Sequence, residues 1–372
     1  MPHRFSGIAK TAFVFAWFTL TCTTALRTVV ASPAEQVYDT PEAAAADKDF
    51  LTQGEYMAPK LGMQVIGMGD GEFDIVLYQG GLPGAGWDRT LPQKTKGDAN
   101  TVQDLVKSRG LSRVERKSPT LGAKPPATAI VLFDGTQASL EKHWNAGAKR
   151  TDDGLLVQGA ASTDMFRDYS LHIEFRTPFQ PKARGQGRGN SGVYHQGRYE
   201  TQVLDSFGLE GKDNESGGIY SVRDPDLNMC FPPLTWQTYD VEFTAARFDA
   251  DGKKTSDAKI TVRLNGEVVQ RDVKVPKITT AAPNKESAEP GPIYLQDHGN
   301  PVRYRNIWVV PRDADKDARR PRVPGFERFY AVQADTSDSS HVGGRMLISQ
   351  LTRFETFCGS GLELDRQNAF RN

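Results

Sequence analysis

Cysteine is scarce. Only Cys22, Cys230 and Cys358 occur in 372 residues. So few excludes a disulfide framework, leaving room for one bridge between Cys230 and Cys358, and the absence of Cys-x-x-Cys-His excludes a covalent c-type haem site. No Gly-x-Ser-x-Gly occurs, so there is no nucleophile elbow to carry a Ser-His-Asp triad. Net charge is also lacking: 46 basic residues balance 46 acidic ones. A neutral surface gives nucleic acid no electrostatic reason to bind. The longest apolar run, AFVFAWFTL at residues 12–20, falls well short of the roughly 20 residues a membrane-spanning helix needs. Histidine is sparse too, so a multi-histidine metal site would require convergence of distant positions.

That apolar run has a different reading. Arg4 and Lys10 precede it, and Val29 and Ala31 follow at spacing suited to peptidase cleavage before Ser32. Residues 1–31 therefore read as a signal peptide, and the chain as secreted or periplasmic. Thr21 stands where a lipidated Cys22 would want Gly or Ala before it, which argues against a lipid anchor. Removing the leader leaves 43 basic and 46 acidic residues, a formal charge of minus three.

Glycine and proline are abundant, at 35 and 22 residues, which points to a turn-rich sheet protein. Residues 32–125 read as an N-terminal extension and linker. They hold a short helical stretch near PEAAAADKDF, then short apolar runs in residues 61–88 with an Asp70-Gly71 hairpin turn. SPTLGAKPPA, residues 118–127, has a linker's composition. From residue 126 to 312 come IVLFDG, GLLVQG, YSLHIEFRTP, SGVYHQGRYETQVLDS, GGIYSV, TYDVEFTAARF, AKITVRLNGEVVQ, GPIYLQDHG and VRYRNIWVV. These short β-branched and aromatic runs, split by turn residues, predict an antiparallel β-sandwich. Ile260, Val262 and Leu264 share one strand face, and Asn265-Gly266 reverses the chain. Residues 313–372 read as a charged connector and a short C-terminal helical tail.

The chemistry concentrates in residues 190–206, NSGVYHQGRYETQVLDS. On a strand, Glu200 and Gln202 project together, opposite Tyr199, Thr201, Val203 and Asp205. A carboxylate beside an amide suits sugar hydroxyls. Tyr194 and His195 fall on opposite faces, so His195 reaches Glu200 only through a bulge or the Gly197-Arg198 turn. Asn190 and Gly192 make a polar entrance where backbone and ligand can approach closely. A second cluster, YLQDHGNPVRYRNIWV, brings Asp297 and His298 to a strand end and adds Arg303, Arg305 and Asn306. Histidine exchanges protons near neutrality, and a carboxylate neighbour can orient it. The arginines could equally pair with Glu200 or Asp205 to tie strands together. A divalent metal held by Glu200, Asp205 and one histidine is a further expectation. DGKKTSDAK, residues 251–259, lacks calcium-loop spacing and reads as a hairpin loop.

IVLFDGTQASLEKHW, NSGVYHQGRYETQVLDS, GGIYSV and GPIYLQDHGNPVRYRNIWV, in that order over residues 128–312, resemble the 3-keto-disaccharide hydrolase, or 3-keto-glucoside hydrolase/lyase, domain. The resemblance implies an all-β, concanavalin A-like jelly-roll sandwich. It also implies cleavage of 3-keto-glycosides by removal of the C2 proton and elimination at C1. The matching motifs would supply Glu200, His298 and Asp205 as catalytic groups, His298 or Glu200 being the base and Asp205 an orienting group or metal ligand. Asn190, Tyr194, His195, Arg198, Gln202, Asp297 and Arg305 would bind substrate. The end of the chain resembles the lead-in to a cytochrome-like domain, yet the haem motif is missing. A competing expectation is a non-catalytic carbohydrate-binding module or envelope adhesin, with Tyr194, Tyr199 and Trp236 as an aromatic platform.

Overall fold

The structure is a computed structural model; it describes residues 36–312 and the backbone of 333–334. The signal-peptide, charged-connector and C-terminal-helix expectations, with Cys22 and Cys358, lie outside those residues. Within them the architecture is all-β and sandwich-like, with several sheets and little helix.

The extension opens with two short helices, α1 (Pro41–Ala44) and α2 (Lys48–Thr52). Asp47 caps α2 by accepting from the Asp49 and Phe50 amides. Strands β1 (Gly54–Ala58), β2 (Leu61–Gly69), β3 (Glu72–Gln79), β4 (Gln93–Gly97) and β5 (Ser112–Glu115) form an antiparallel sheet. Helix α3 (Ala99–Arg109) packs Val102 into its apolar cluster of Tyr56, Met63, Val65, Phe73, Ile75 and Leu77. Asp70 and Gly71 both take positive φ at the β2–β3 turn, the geometry of a tight hairpin. A second cluster joins Ile66, Val76 and Tyr78 of this sheet to Phe207 and Cys230. The extension is therefore packed on the sandwich through shared apolar contacts.

The sandwich contains β6 (Ile130–Phe133), α4 (Gln137–His143), β7 (Leu156–Val157), β8 (Ala160–Ala161) and β9 (Tyr169–Arg176). The hairpin β10 (Ser191–His195) and β11 (Tyr199–Val203) follows, then β12 (Gln237–Thr244) and a small pair, β13 (Arg247–Phe248) and β14 (Lys254–Ser256). The last strands are β15 (Ala258–Leu264), β16 (Glu267–Val275), β17 (Tyr294–Leu295), β18 (Arg303–Pro311) and β19 (Gln333–Ala334), the last of which pairs with β5. A long sheet runs β16-β15-β12-β9-β18-β6, with β7 also on β18. A short sheet runs β11-β10-β17-β8.

Alternation along the strands builds the core. Leu171, Ile173 and Phe175 from the long sheet meet Val193, Tyr199 and Leu295 from the short one in a single apolar cluster. Asn265 and Gly266 adopt positive φ between β15 and β16, as their hairpin signal predicts. GGIYSV differs from expectation. It makes only isolated bridges, Ile219 to Thr201 and to Arg223, because its glycine-rich backbone folds back on the edge of β11.

SPTLGAKPPA lies along the outer face of the long sheet. Thr120 Oγ1 donates to Asp240 Oδ2 at 2.6 Å, and the Gly122 amide donates to Glu174 Oε1 at 2.6 Å. Under this strap, His172 is fully buried, with Nδ1 2.7 Å from Asp240 and its ring stacked on Trp308. Burial opposes charge on the His172 ring, but the Asp240 and Glu174 hydrogen bonds outweigh it and raise its pKa to about 9.

Candidate active site

The β10–β11 hairpin stays in register, with His195 opposite Tyr199 and Gly192 opposite Gln202. No bulge interrupts the pairing. Ser191, Val193, His195, Tyr199 and Thr201 therefore face the sandwich interior, while Gly192, Tyr194, Glu200 and Gln202 share the outer face of the short sheet. Two loops flank the free edge of β11 beside that face. The Tyr220 amide donates to the Glu200 carbonyl at 3.3 Å, and Thr279 Oγ1 accepts from the Glu200 amide at 3.0 Å.

Glu200 is the centre of the face, with 2% of its surface exposed. Its carboxyl lies across Gly192, where a Cβ would stand 2.1 Å from Glu200 Oε1. Burial raises the Glu200 carboxyl to about 8, against an opposing hydrogen bond from Tyr194. The Tyr194 hydroxyl is 2.8 Å from both Glu200 Oε2 and the Thr280 carbonyl, and it accepts from Gln296 Nε2 at 3.2 Å. One hydroxyl carries one proton. An ionised Glu200 therefore accepts a hydrogen bond from Tyr194, whereas a neutral Glu200 donates to Tyr194 while Tyr194 donates to Thr280. Burial and the nearby Glu200 carboxyl hold the Tyr194 phenol well above its ordinary pKa, so it stays protonated.

A wall of amides lies beside this pair. Gln202 Nε2 donates to Gln186 Oε1 at 3.0 Å and to Asn190 Oδ1 at 3.3 Å; Asn190 Nδ2 donates to the Gln186 carbonyl at 2.8 Å. Asn300 Oδ1 accepts from the Asn190 amide at 2.7 Å. These groups are tied to one another, which fixes the shape of the wall. Gln296 differs: its Oε1 is buried and has no hydrogen-bond partner among the described residues. A buried acceptor left without a partner carries an uncompensated desolvation cost. Tyr220 and Tyr294 are half-buried and lie beside Tyr194, the Tyr294 ring centroid 5.6 Å from that of Tyr194.

The predicted site residues thus separate. Glu200, Tyr194, Gln202 and Asn190 converge. His298 is exposed on the turn between Gln296 and Asn300, both ends of which are tied to this face. Asp297, also exposed, caps that turn by accepting from the Gly299 amide at 2.9 Å, and it does not pair with His298.

The other four stand elsewhere. His195 faces the interior, with Nδ1 2.9 Å from the Tyr169 hydroxyl and Nε2 3.0 Å from Thr201 Oγ1. Burial pushes its pKa down to about 3, so the ring is neutral. Arg198 clamps the loop after β16, donating to the Lys285 and Glu289 carbonyls at 2.8 and 2.9 Å. Asp205 lies beyond the end of β11, and its Oδ2 takes a 2.6 Å hydrogen bond from Arg188 Nε, both side chains being buried. Arg305 is on the far face of the long sheet, 2.7 Å from Glu174 and 3.9 Å over the Trp236 ring. It therefore pairs with neither Glu200 nor Asp205.

Two constellations expected from the sequence do not assemble. Glu200 and Asp205, two of the three groups expected beside one histidine as metal ligands, point into different environments; among the described residues no cluster of three such ligands occurs. Tyr194, Tyr199 and Trp236 likewise share no face, because Tyr199 points inward to Phe243 and Trp236 is flanked by Arg176 and Arg305. Sequence reasoning passed over Gln296, although it sits directly before Asp297 in the second polar cluster. Its strand parity with Tyr294 was the available signal.

Comparison with known proteins bears on the same region. Residues 128–310 match the model of the 3-keto-alpha-glucoside-1,2-lyase-like domain. A "putative glycosyl hydrolase" of known structure from Parabacteroides distasonis is 32% identical, with 54% of this chain and 91% of that one covered and a TM-score of 0.47. A second from the same organism is 21% identical over 50% of this chain and 94% of its own, with a TM-score of 0.35. The alginate lyase vAL-1 from Chlorella virus is 14% identical over 49% of this chain and all of its own length, with a TM-score of 0.30. No curated protein matches the chain.

Proposed function

Since the chain belongs, through residues 128–310, to the 3-keto-alpha-glucoside-1,2-lyase-like family, we propose that it cleaves 3-keto-glycosides by elimination, with Glu200 as the base. The reading includes a concanavalin A-like jelly roll, whose two facing antiparallel sheets fit the observed layers, and export of the mature chain. One observation carries it: a buried carboxyl with a pKa near 8, held over a glycine and joined to a tyrosine that follows its proton. Such a group is a stronger base than an ordinary carboxylate and exchanges protons near neutral pH.

The ketone at C3 acidifies the C2 hydrogen. Ionised Glu200 takes that proton, and the electron pair becomes the enolate. Collapse of the enolate forms the C1–C2 double bond and breaks the bond from C1 to the aglycone oxygen. That oxygen takes a proton from a neighbouring acid, for which His298 on the rim is the candidate. In the hydrolytic direction water adds at C1, giving one proton back to the group that protonated the aglycone, and protonated Glu200 returns its proton to C2, which yields the free 3-keto sugar and the alcohol. The open Gln296 carbonyl accepts a sugar hydroxyl, and Tyr220 and Tyr294 offer phenolic donors to the developing enolate.

The test is release of chromophore from a 3-keto-glucoside and from its parent glucoside, with added divalent ions and with chelator. Release from the keto sugar alone, lost in Glu200→Gln, is expected. Equal release from both sugars, or none from the keto sugar by folded, ion-supplied protein, overturns the reading.

A further inference from the structure

A cavity separate from the Glu200 face lies where the extension meets the sandwich. It encloses about 270 Å³, a little under the ~300–1,000 Å³ common for small-molecule pockets. Ile66 and Val76 from the extension and Phe207 and Leu209 from the sandwich give it apolar walls, with Arg184 and Arg188 also lining it.

Its polar groups are unevenly satisfied. Arg188 is 5% exposed; its Nε is bonded to Asp205 and its Nη1 donates to the Gly67 carbonyl at 3.1 Å, while Nη2 is buried without a hydrogen-bond partner. A buried guanidinium N–H left open loses solvation without compensation. The charges lining the cavity are also unbalanced. Lys94 pairs with Glu210 and Lys96 with Asp74, each at 2.9 Å. Arg184, by contrast, donates only to the carbonyls of Pro181, Ala183 and Met68, and it makes no ion pair among the described residues. Arg184 therefore has no carboxylate in contact, only Asp74 and Glu72 at longer range, and four cations line the cavity against the two carboxylates Asp74 and Asp205, beside one open donor and an apolar chamber of about single-ring size.

From this we infer that the cavity binds a small aromatic monocarboxylate, with the ring against Ile66, Val76 and Phe207 and the carboxylate at Arg188 Nη2. A carboxylate oxygen matches both the missing acceptor and the cationic excess of the lining. The site needs the extension as well as the sandwich, so a sandwich domain standing alone would lack one of its walls.

The probe is 4-hydroxybenzoate, titrated into the full chain by ligand-observed NMR and calorimetry beside its neutral analogue 4-hydroxybenzamide. We expect saturable 1:1 binding of the acid, with the amide weaker by about tenfold or more. Arg188→Lys, which keeps a cation for Asp205 but removes Nη2, should weaken the acid by a similar factor. Met68→Trp, placed at a partly exposed lining residue, should abolish binding of both probes without altering release from the 3-keto-glucoside. No saturable binding, equal binding of acid and amide, or binding indifferent to Met68→Trp overturns the inference. Should Arg188→Lys fail to fold, the amide comparison and Met68→Trp decide it. Because the readout is binding, it stands or falls apart from the elimination chemistry.

Discussion

Glu200 Oε1 occupies the space into which a side chain at Gly192 would project, 2.1 Å from an ideal Cβ. The carboxyl can lie flat on the short sheet only because its diagonal neighbour on β10, Gly192, has no side chain. Gly192→Ala should therefore push Glu200 out of line with Tyr194. A displacement of about 1 Å costs on the order of 100-fold in rate, and we expect kcat/KM for a 3-keto-glucoside to fall by that order. Steady-state kinetics beside a thermal melt checks this; an unchanged rate would remove Glu200 from the chemistry.

The Tyr194 hydrogen bond lowers the Glu200 pKa against the larger effect of burial. Removing the hydroxyl removes the lowering. For the wild type, kcat/KM should rise with pH through about 8, as the carboxylate form accumulates. In Tyr194→Phe that midpoint should move to higher pH, and activity near pH 7 should drop. A pH–rate profile with an unmoved or lowered midpoint contradicts the pairing.

Between about pH 6.5 and 9 stability should fall as the medium becomes more alkaline. Glu200 is raised from 4.5 to about 8 on folding and His172 from 6.5 to about 9. Each binds its proton more tightly in the folded protein than in the unfolded chain. Glu200's contribution is whole below pH 4.5 and is lost towards pH 8; that of His172 is whole below 6.5 and is lost towards 9. Denaturant midpoints should be roughly level from pH 4.5 to 6.5, where buried His195, lowered from 6.5 to about 3, gains what Glu200 loses, and should decline from 6.5 to 9; Glu200→Gln should make the first interval rise and the decline begin more gently.

Asp205 holds Arg188 rather than substrate. Asp205→Ala strands a buried guanidinium, a loss of about 3–5 kcal/mol by analogy with other broken buried pairs. Chemical denaturation should show that loss, while the rate per folded molecule changes little. A large drop in rate at unchanged stability would return Asp205 to the catalytic group.

Arg305→Ala offers the matching control on the far face of the long sheet. It removes a half-exposed contact to Glu174 and the stacking on Trp236. A modest fall in stability, about 1 kcal/mol, with unaltered KM is the expected outcome; a raised KM would bring this face into substrate binding.

Local pattern made much of this protein legible from sequence. Alternation in AKITVRLNGEVVQ and in the β10–β11 hairpin assigns each side chain to a face, because the strand period of two depends only on neighbouring residues. The Asp70-Gly71 and Asn265-Gly266 turns follow from backbone sterics alone. Glu200 and Gln202 were recognisable together for the same reason. Parity stops where the strand does, and so it could not carry Asp205, which follows Arg188 into the junction with the extension.

What only the tertiary structure decided concerns partners and burial. The Glu200 carboxyl is pushed up to about 8 because it is buried, in a fold that brings segments distant in sequence, around Tyr220 and Thr279, against its strand. His195 and Arg305 become structural because one is enclosed between the sheets and the other lies on the opposite surface from the site. The sequence by itself determined which residues share a strand face. Which face becomes a site depended on desolvation and on contacts between segments far apart in the chain, and neither quantity is a property of local order.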